Sequence, residues 1–139
     1  MKQRMLSVLW LLMLPCAVSA NTVLYTTRDN PPMRPEVLVD VVYLDESDAL
    51  TDAWFAAQGI ELSMDNTSQI IAALQSPAWQ TQAAQLKQAY QGVIRAWQLG
   101  VERVPAVVVD DKWVIYGLTD VARAQSEIAQ YRQRQEKGG

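Results

Sequence analysis

The sequence has no histidine, and its single cysteine, Cys16, lies near the start of the chain. No intrachain disulfide can form, so the usual means of stabilising a small exported domain is missing. Thiol–disulfide exchange needs an attacking thiolate, and residues 21–139 hold no thiol. No imidazole is present to serve as a general base. Basic residues are outnumbered, twelve Lys and Arg against fifteen Asp and Glu, which removes the electrostatic footprint of a nucleic-acid binder. Long hydrophobic runs are scarce. The clearest, residues 5–14, is interrupted by Ser7 and is shorter than the roughly 20 apolar residues of a membrane span.

What is present at the start reads as a secretory signal. Lys2 and Arg4 precede that apolar run, and Val18-Ser19-Ala20 places small or short residues at a cleavage position. Leu14 and Pro15 before Cys16 speak against a lipoprotein anchor. The expectation is cleavage after Ala20 and a periplasmic product with no membrane span. Ten basic residues then face fifteen acids, a net charge of −5. The length suits one domain, residues 21–139, and half of the residues are hydrophobic, so the core must supply the stability.

Residues 22–27, β-branched and aromatic, predict a strand. Three prolines in residues 31–35 forbid a regular helix or central strand and predict a loop. Residues 36–44 are nearly continuous in apolar character, apart from Asp40, and predict a strand buried on both faces. Ser47 or Asp48 can cap a helix through Gln58, with Leu50, Trp54 and Ala57 inward and Gly59 at its end. Asp65-Asn66-Thr67 reads as a turn or a cap. Ser76-Pro77 is a helix start, and the helix should run to Leu99 and stop at Gly100. Trp79, Ala83, Leu86, Tyr90, Val93, Ile94 and Trp97 mark its buried face, while Gly92 either weakens it or admits a close neighbour. Two apolar stretches around Asp110-Asp111 predict a hairpin. Thr119 can cap a last helix that runs past Tyr131 and frays from Arg132 onward.

This order predicts an α/β sandwich with a mixed sheet. The run Leu99-Gly100-Val101-Glu102-Arg103-Val104-Pro105-Ala106-Val107-Val108-Val109 resembles the second half of a thioredoxin-like fold. The resemblance implies a cis peptide before Pro105 on a face that receives a substrate chain; the plainer reading is a proline opening an edge strand. Thr26-Thr27, residues 89–92, 96–101 and 104–108, and the run from Val114 to Ala124 are together similar to the small exported, thioredoxin-like protein family of integrating conjugative elements. They are similar also to the pilin-assembly proteins of F-type conjugation. The likeness is densest over residues 89–124.

The chain departs from a thioredoxin where Thr27-Arg28-Asp29-Asn30-Pro31 replaces Cys-x-x-Cys, and the prolines truncate the first helix. The resemblance implies a redox-inactive accessory component of a conjugative type IV secretion apparatus, not an enzyme. It would work by binding envelope proteins of that apparatus, with no nucleic acid, cofactor or metal. The binding residues it implies are Thr27, Arg28, Val104, Pro105 and Ala106, beside which an extended segment could pair. Thr26 to Asp29 also read as a solvated, capped turn. Asp45, Glu46, Asp48 and Asp52 lack the calcium-loop pattern and read as a solvated helix start. Asp110-Asp111 reads as a turn. Trp54, Trp79, Trp97 and Trp113 are expected mostly inside, with Trp113 the most exposed. Asn66-Thr67-Ser68 matches a glycosylation sequon that is frequent by chance. A general periplasmic chaperone and a carboxylate-dependent hydrolase or transferase are the rival functions.

Overall fold

A computed structural model describes residues 21–35 and 39–139. The expected signal, residues 1–20, and residues 36–38 of the expected second strand lie outside the described residues. No described helix is long and apolar enough to cross a membrane.

Four strands, β1 (Thr22–Thr26), β2 (Asp40–Tyr43), β3 (Ala106–Val109) and β4 (Trp113–Tyr116), form one mixed sheet in the order β2-β1-β3-β4. β2 runs parallel to β1, while β3 pairs antiparallel with both β1 and β4. The helices are α1 (Glu46–Ala57), α2 (Thr67–Leu74), α3 (Pro77–Gln98) and α4 (Val121–Lys137). This is a thioredoxin-like α/β sandwich without a cysteine pair. Between β1 and β2 the described residues make turns and bends but no helix, as three prolines in five residues require.

The central strands are buried because helices cover both faces. Leu24, Val107 and Val109 pack against Val121, Ala124 and Ile128 of α4. Tyr25 and Val108 pack on the other face against Ala96 of α3. This alternation follows from the two-residue period of a strand.

Several expectations are corrected. β2 is an edge strand and only half-buried, because nothing described pairs with its outer side. The N-cap of α1 is Asp45, not Ser47 or Asp48. Its carboxylate does not cap the helix but accepts from the Arg28 amide at 3.1 Å. Phe55 is the buried apolar residue of α1, while Ala57 is exposed. Thr119 yields the α4 cap to Asp120, whose side chain accepts from the Arg123 amide. α4 is helical to Lys137, past the Arg132 at which fraying was expected to begin. The region around Asp65 holds more than a turn: a 3-10 turn, Met64–Asn66, leads into α2, which has no buried residue.

α3 buries its expected face in part. Its start and end fall where expected: the Ser76 hydroxyl accepts from the Trp79 amide, and Gly100 takes a φ of 71°. It comes closest to the sheet, however, through small residues. Ala96 is buried and Gly92 abuts Val42. At 100° per residue, Tyr90, Ile94 and Trp97 stand roughly 140–200° around the helix from Gly92. Of the expected face, Trp79, Ala83, Leu86 and Val93 are half-buried, and Trp79 meets Trp54 and Phe55 at ring separations of 4.9 and 5.9 Å.

Candidate functional site

The sheet register brings the residues singled out in sequence to one end of the molecule. Tyr25 pairs with Ala106, so the end of β1 at Thr26 and Thr27 lies beside Pro105 at the start of β3. The Val104–Pro105 peptide is cis. The Pro105 carbonyl accepts from the amide of Gly117, which follows β4 and has a φ of 82°, at 2.9 Å.

The polar groups at this end are already occupied. Thr26 is fully buried and donates its hydroxyl to the Asn30 carbonyl at 2.6 Å. Thr27 closes a turn: its carbonyl accepts from the Asn30 amide and its hydroxyl from the Asn30 side chain. The Arg28 amide donates to Asp45, and its guanidinium donates to Glu46 at 2.6 Å. Ala106 has no exposed surface. Val104 and Pro105, both half-buried, are the predicted residues here that combine some exposure with no side-chain bond of their own. The capped-turn reading of residues 26–29 thus matches the local bonding, and the end of the sheet is built largely for its own closure.

The two acids of the hairpin turn are engaged with cations. Asp110 and Asp111, at φ of 55° and 54°, form the hairpin turn in the left-handed conformation that short polar side chains tolerate. Asp110 pairs with Arg132 at 2.7 Å and Asp111 with Arg95 at 2.6 Å. The hydrogen bond from Arg132, aided by the Asn21 amide, holds the Asp110 carboxyl below its ordinary range. Burial pushes the Tyr25 hydroxyl up, against the opposing pull of Arg95. No described group of three or more His, Cys, Asp or Glu is arranged to hold a metal ion.

Two surfaces escaped the sequence reading. The first is apolar. On α3, Tyr90, Ile94 and Trp97 are exposed, Trp97 by 79%. This inverts the expected order of the tryptophans, because Trp113 is half-buried against Tyr131 and two cations. Ahead of α3, Met64, Ile71 and Leu74 are also exposed. Helical periodicity marked Tyr90, Ile94 and Trp97 together with the half-buried Trp79, Ala83, Leu86 and Val93, but not which part of the stripe would be covered. The second surface is a trough between β4 and α4, which no motif announced.

A family model described as protein of unknown function, DUF1525, matches residues 19–134, and the chain belongs to that family. No curated protein and no solved structure matches the chain.

Proposed function

We propose, from a family membership that assigns no activity, that the protein is a redox-inactive, protein-binding accessory component of a conjugative type IV secretion apparatus. It acts in the periplasm after removal of residues 1–20. The apparatus and the compartment come from the sequence resemblance and the signal-like start. Protein binding is carried by one observation, the stripe of Tyr90, Ile94 and Trp97 left open on a 22-residue helix. A tryptophan 79% in water is a poor use of its apolar area. A contiguous exposed apolar patch is the mark of an interaction surface, and tryptophan and tyrosine are the common anchors of such surfaces. The partner is an envelope protein of the apparatus that presents a complementary apolar face.

The half-buried Val104 and Pro105 remain available as a second, smaller contact. The carboxylates offer no comparable case for hydrolysis, since Asp45, Glu46, Asp110 and Asp111 each serve a neighbouring donor.

The test is DNA-transfer frequency from a donor lacking the gene, complemented with wild type or with the Trp97→Ser/Ile94→Ser double variant. The expected result is loss of transfer, rescue by wild type, and failure of the variant despite normal accumulation. Undiminished transfer on deletion overturns the conjugative role. Binding of many unfolded model proteins through the same stripe would instead support a general chaperone.

A further inference from the structure

β4 ends the sheet, and no described element pairs with its outer edge. Its sequence, Trp113-Val114-Ile115-Tyr116, contains no charge and no proline. Natural proteins blunt open edges with such residues, because unpaired backbone groups template further pairing. Beside this edge lies a cavity of about 550 Å³, lined by Trp113, Val114 and Ile115 of β4 and by Ile128, Tyr131 and Arg134 of α4, among others. Trp113 and Ile115 belong to the α4 face of the sheet, whereas the Val114 side chain packs on the opposite face. Val114 therefore reaches the cavity through the strand edge, and the backbone of β4 forms part of the wall. A smaller cavity of about 270 Å³ shares Gln130 and Arg134 and extends to Lys137, so the trough continues along α4.

The charges of the trough run against those of the chain. Arg134 and Lys137 have no carboxylate partner among the described residues. Glu127, the acid in the wall, is held by Arg123 at 3.0 Å. Glu136 lines neither cavity. The carbonyl end of α4 would by itself repel an anion, so attraction of a carboxylate here depends on these two side chains. The chain as a whole is acidic, at −3.

We infer that this trough binds an extended, acidic peptide segment of a partner protein, which joins β4 as an added strand. Its backbone pairs with the free edge, an apolar side chain enters beside Trp113 and Ile115, and its carboxylates meet Arg134 and Lys137. Strand addition supplies affinity through main-chain bonds, and the trough supplies selectivity. The inference uses no residue of α3 and stands apart from the proposal made for that helix.

Fluorescence anisotropy of the purified protein with three labelled ten-residue peptides tests it. One alternates Val and Glu, one Val and Lys, and one Gly and Glu. The expected result is binding of the Val/Glu peptide, with the other two weaker by about tenfold or more. Arg134→Gln/Lys137→Gln and Arg134→Glu/Lys137→Glu should each weaken it by about tenfold with unchanged circular dichroism. Trp97→Ser should leave it unaltered. Amide NMR shifts should centre on β4. No binding of the Val/Glu peptide at about 1 mM, equal binding of the Gly/Glu peptide, or shifts confined to α3 would overturn the inference.

Discussion

Gly92 of α3 stands so close to Val42 of β2 that a Cβ added to the glycine would lie 2.7 Å from the valine Cγ1. The missing side chain sets how near the long helix comes to the edge of the sheet. Gly92→Ala gains about 1 kcal/mol in helix propensity but must push helix and strand apart, at roughly 1–3 kcal/mol. A net loss of up to about 2 kcal/mol is expected in urea denaturation. Val42→Ala should relieve the clash, so the two substitutions should couple favourably in a double-mutant cycle.

Two aromatic residues should differ sharply in what they hold together. Phe55 is 3% exposed, and Phe55→Ala should cost about 3–5 kcal/mol. Trp97→Ser should change stability by no more than about 0.5 kcal/mol, because little is packed against that ring. Equal losses in thermal denaturation would place Trp97 in the core and remove the basis for the α3 surface.

The acid limb of stability should depend on Asp110. Its folded-state pKa lies below the ordinary value of 3.8, chiefly through Arg132. A depressed carboxyl contributes stability that is present above the unfolded pKa and lost as pH falls through the folded one. Asp110→Asn, which tolerates the same left-handed turn, should flatten the change in urea midpoint below about pH 4. Cleavage after Ala20 would make the Asn21 nitrogen, 3.1 Å from Asp110, an ammonium and strengthen the effect.

At the alkaline end the sign reverses. The folded pKa of Tyr25 is raised above 10.0 by burial, so its contribution is complete below pH 10 and is lost as pH rises toward the folded value. Tyr25→Phe should make the alkaline decline in midpoint shallower. An unchanged decline would mean that Tyr25 does not govern it.

The start of α4 offers a direct comparison of two capping residues. Asp120→Ala removes the acceptor for the Arg123 amide and the partner of Arg34, and should cost about 1 kcal/mol. Thr119→Ala should cost less, since the Thr119 group that bonds Met33 is its backbone carbonyl. Chemical denaturation of both variants would rank them.

Local chemistry made much of this fold readable. Ser76-Pro77 and Gly100 bracket α3 because a hydroxyl acceptor, a proline and a left-handed glycine each solve a problem specific to a helix end. Asp110-Asp111 marks the hairpin for a similar reason. Asn66 opens α2, in keeping with the cap reading of Asp65-Asn66-Thr67, and Ile70, Ile71 and Leu74 recur behind it at the helical spacing that marks the rest of that helix. At the end of the sheet, the order of the chain placed Thr27 near Pro105, but nothing in it showed that Arg28 would be spent on Asp45 and Glu46.

The sequence by itself determined the absence of thiol chemistry after Cys16, the break where a first helix would stand, and the positions of most strands and helices, because each depends on composition or on neighbours a few residues away. The tertiary structure alone decided which part of the α3 stripe is covered, that no described element pairs with the outer edge of β4 beside a cationic trough, and that Asp120 rather than Thr119 holds α4. Those outcomes turn on contacts between residues far apart in the chain. A stripe of apolar residues records that a helix has a preferred side, but the close approach of Gly92 to Val42 and the burial of Ala96 leave one end of that stripe, Tyr90, Ile94 and Trp97, exposed.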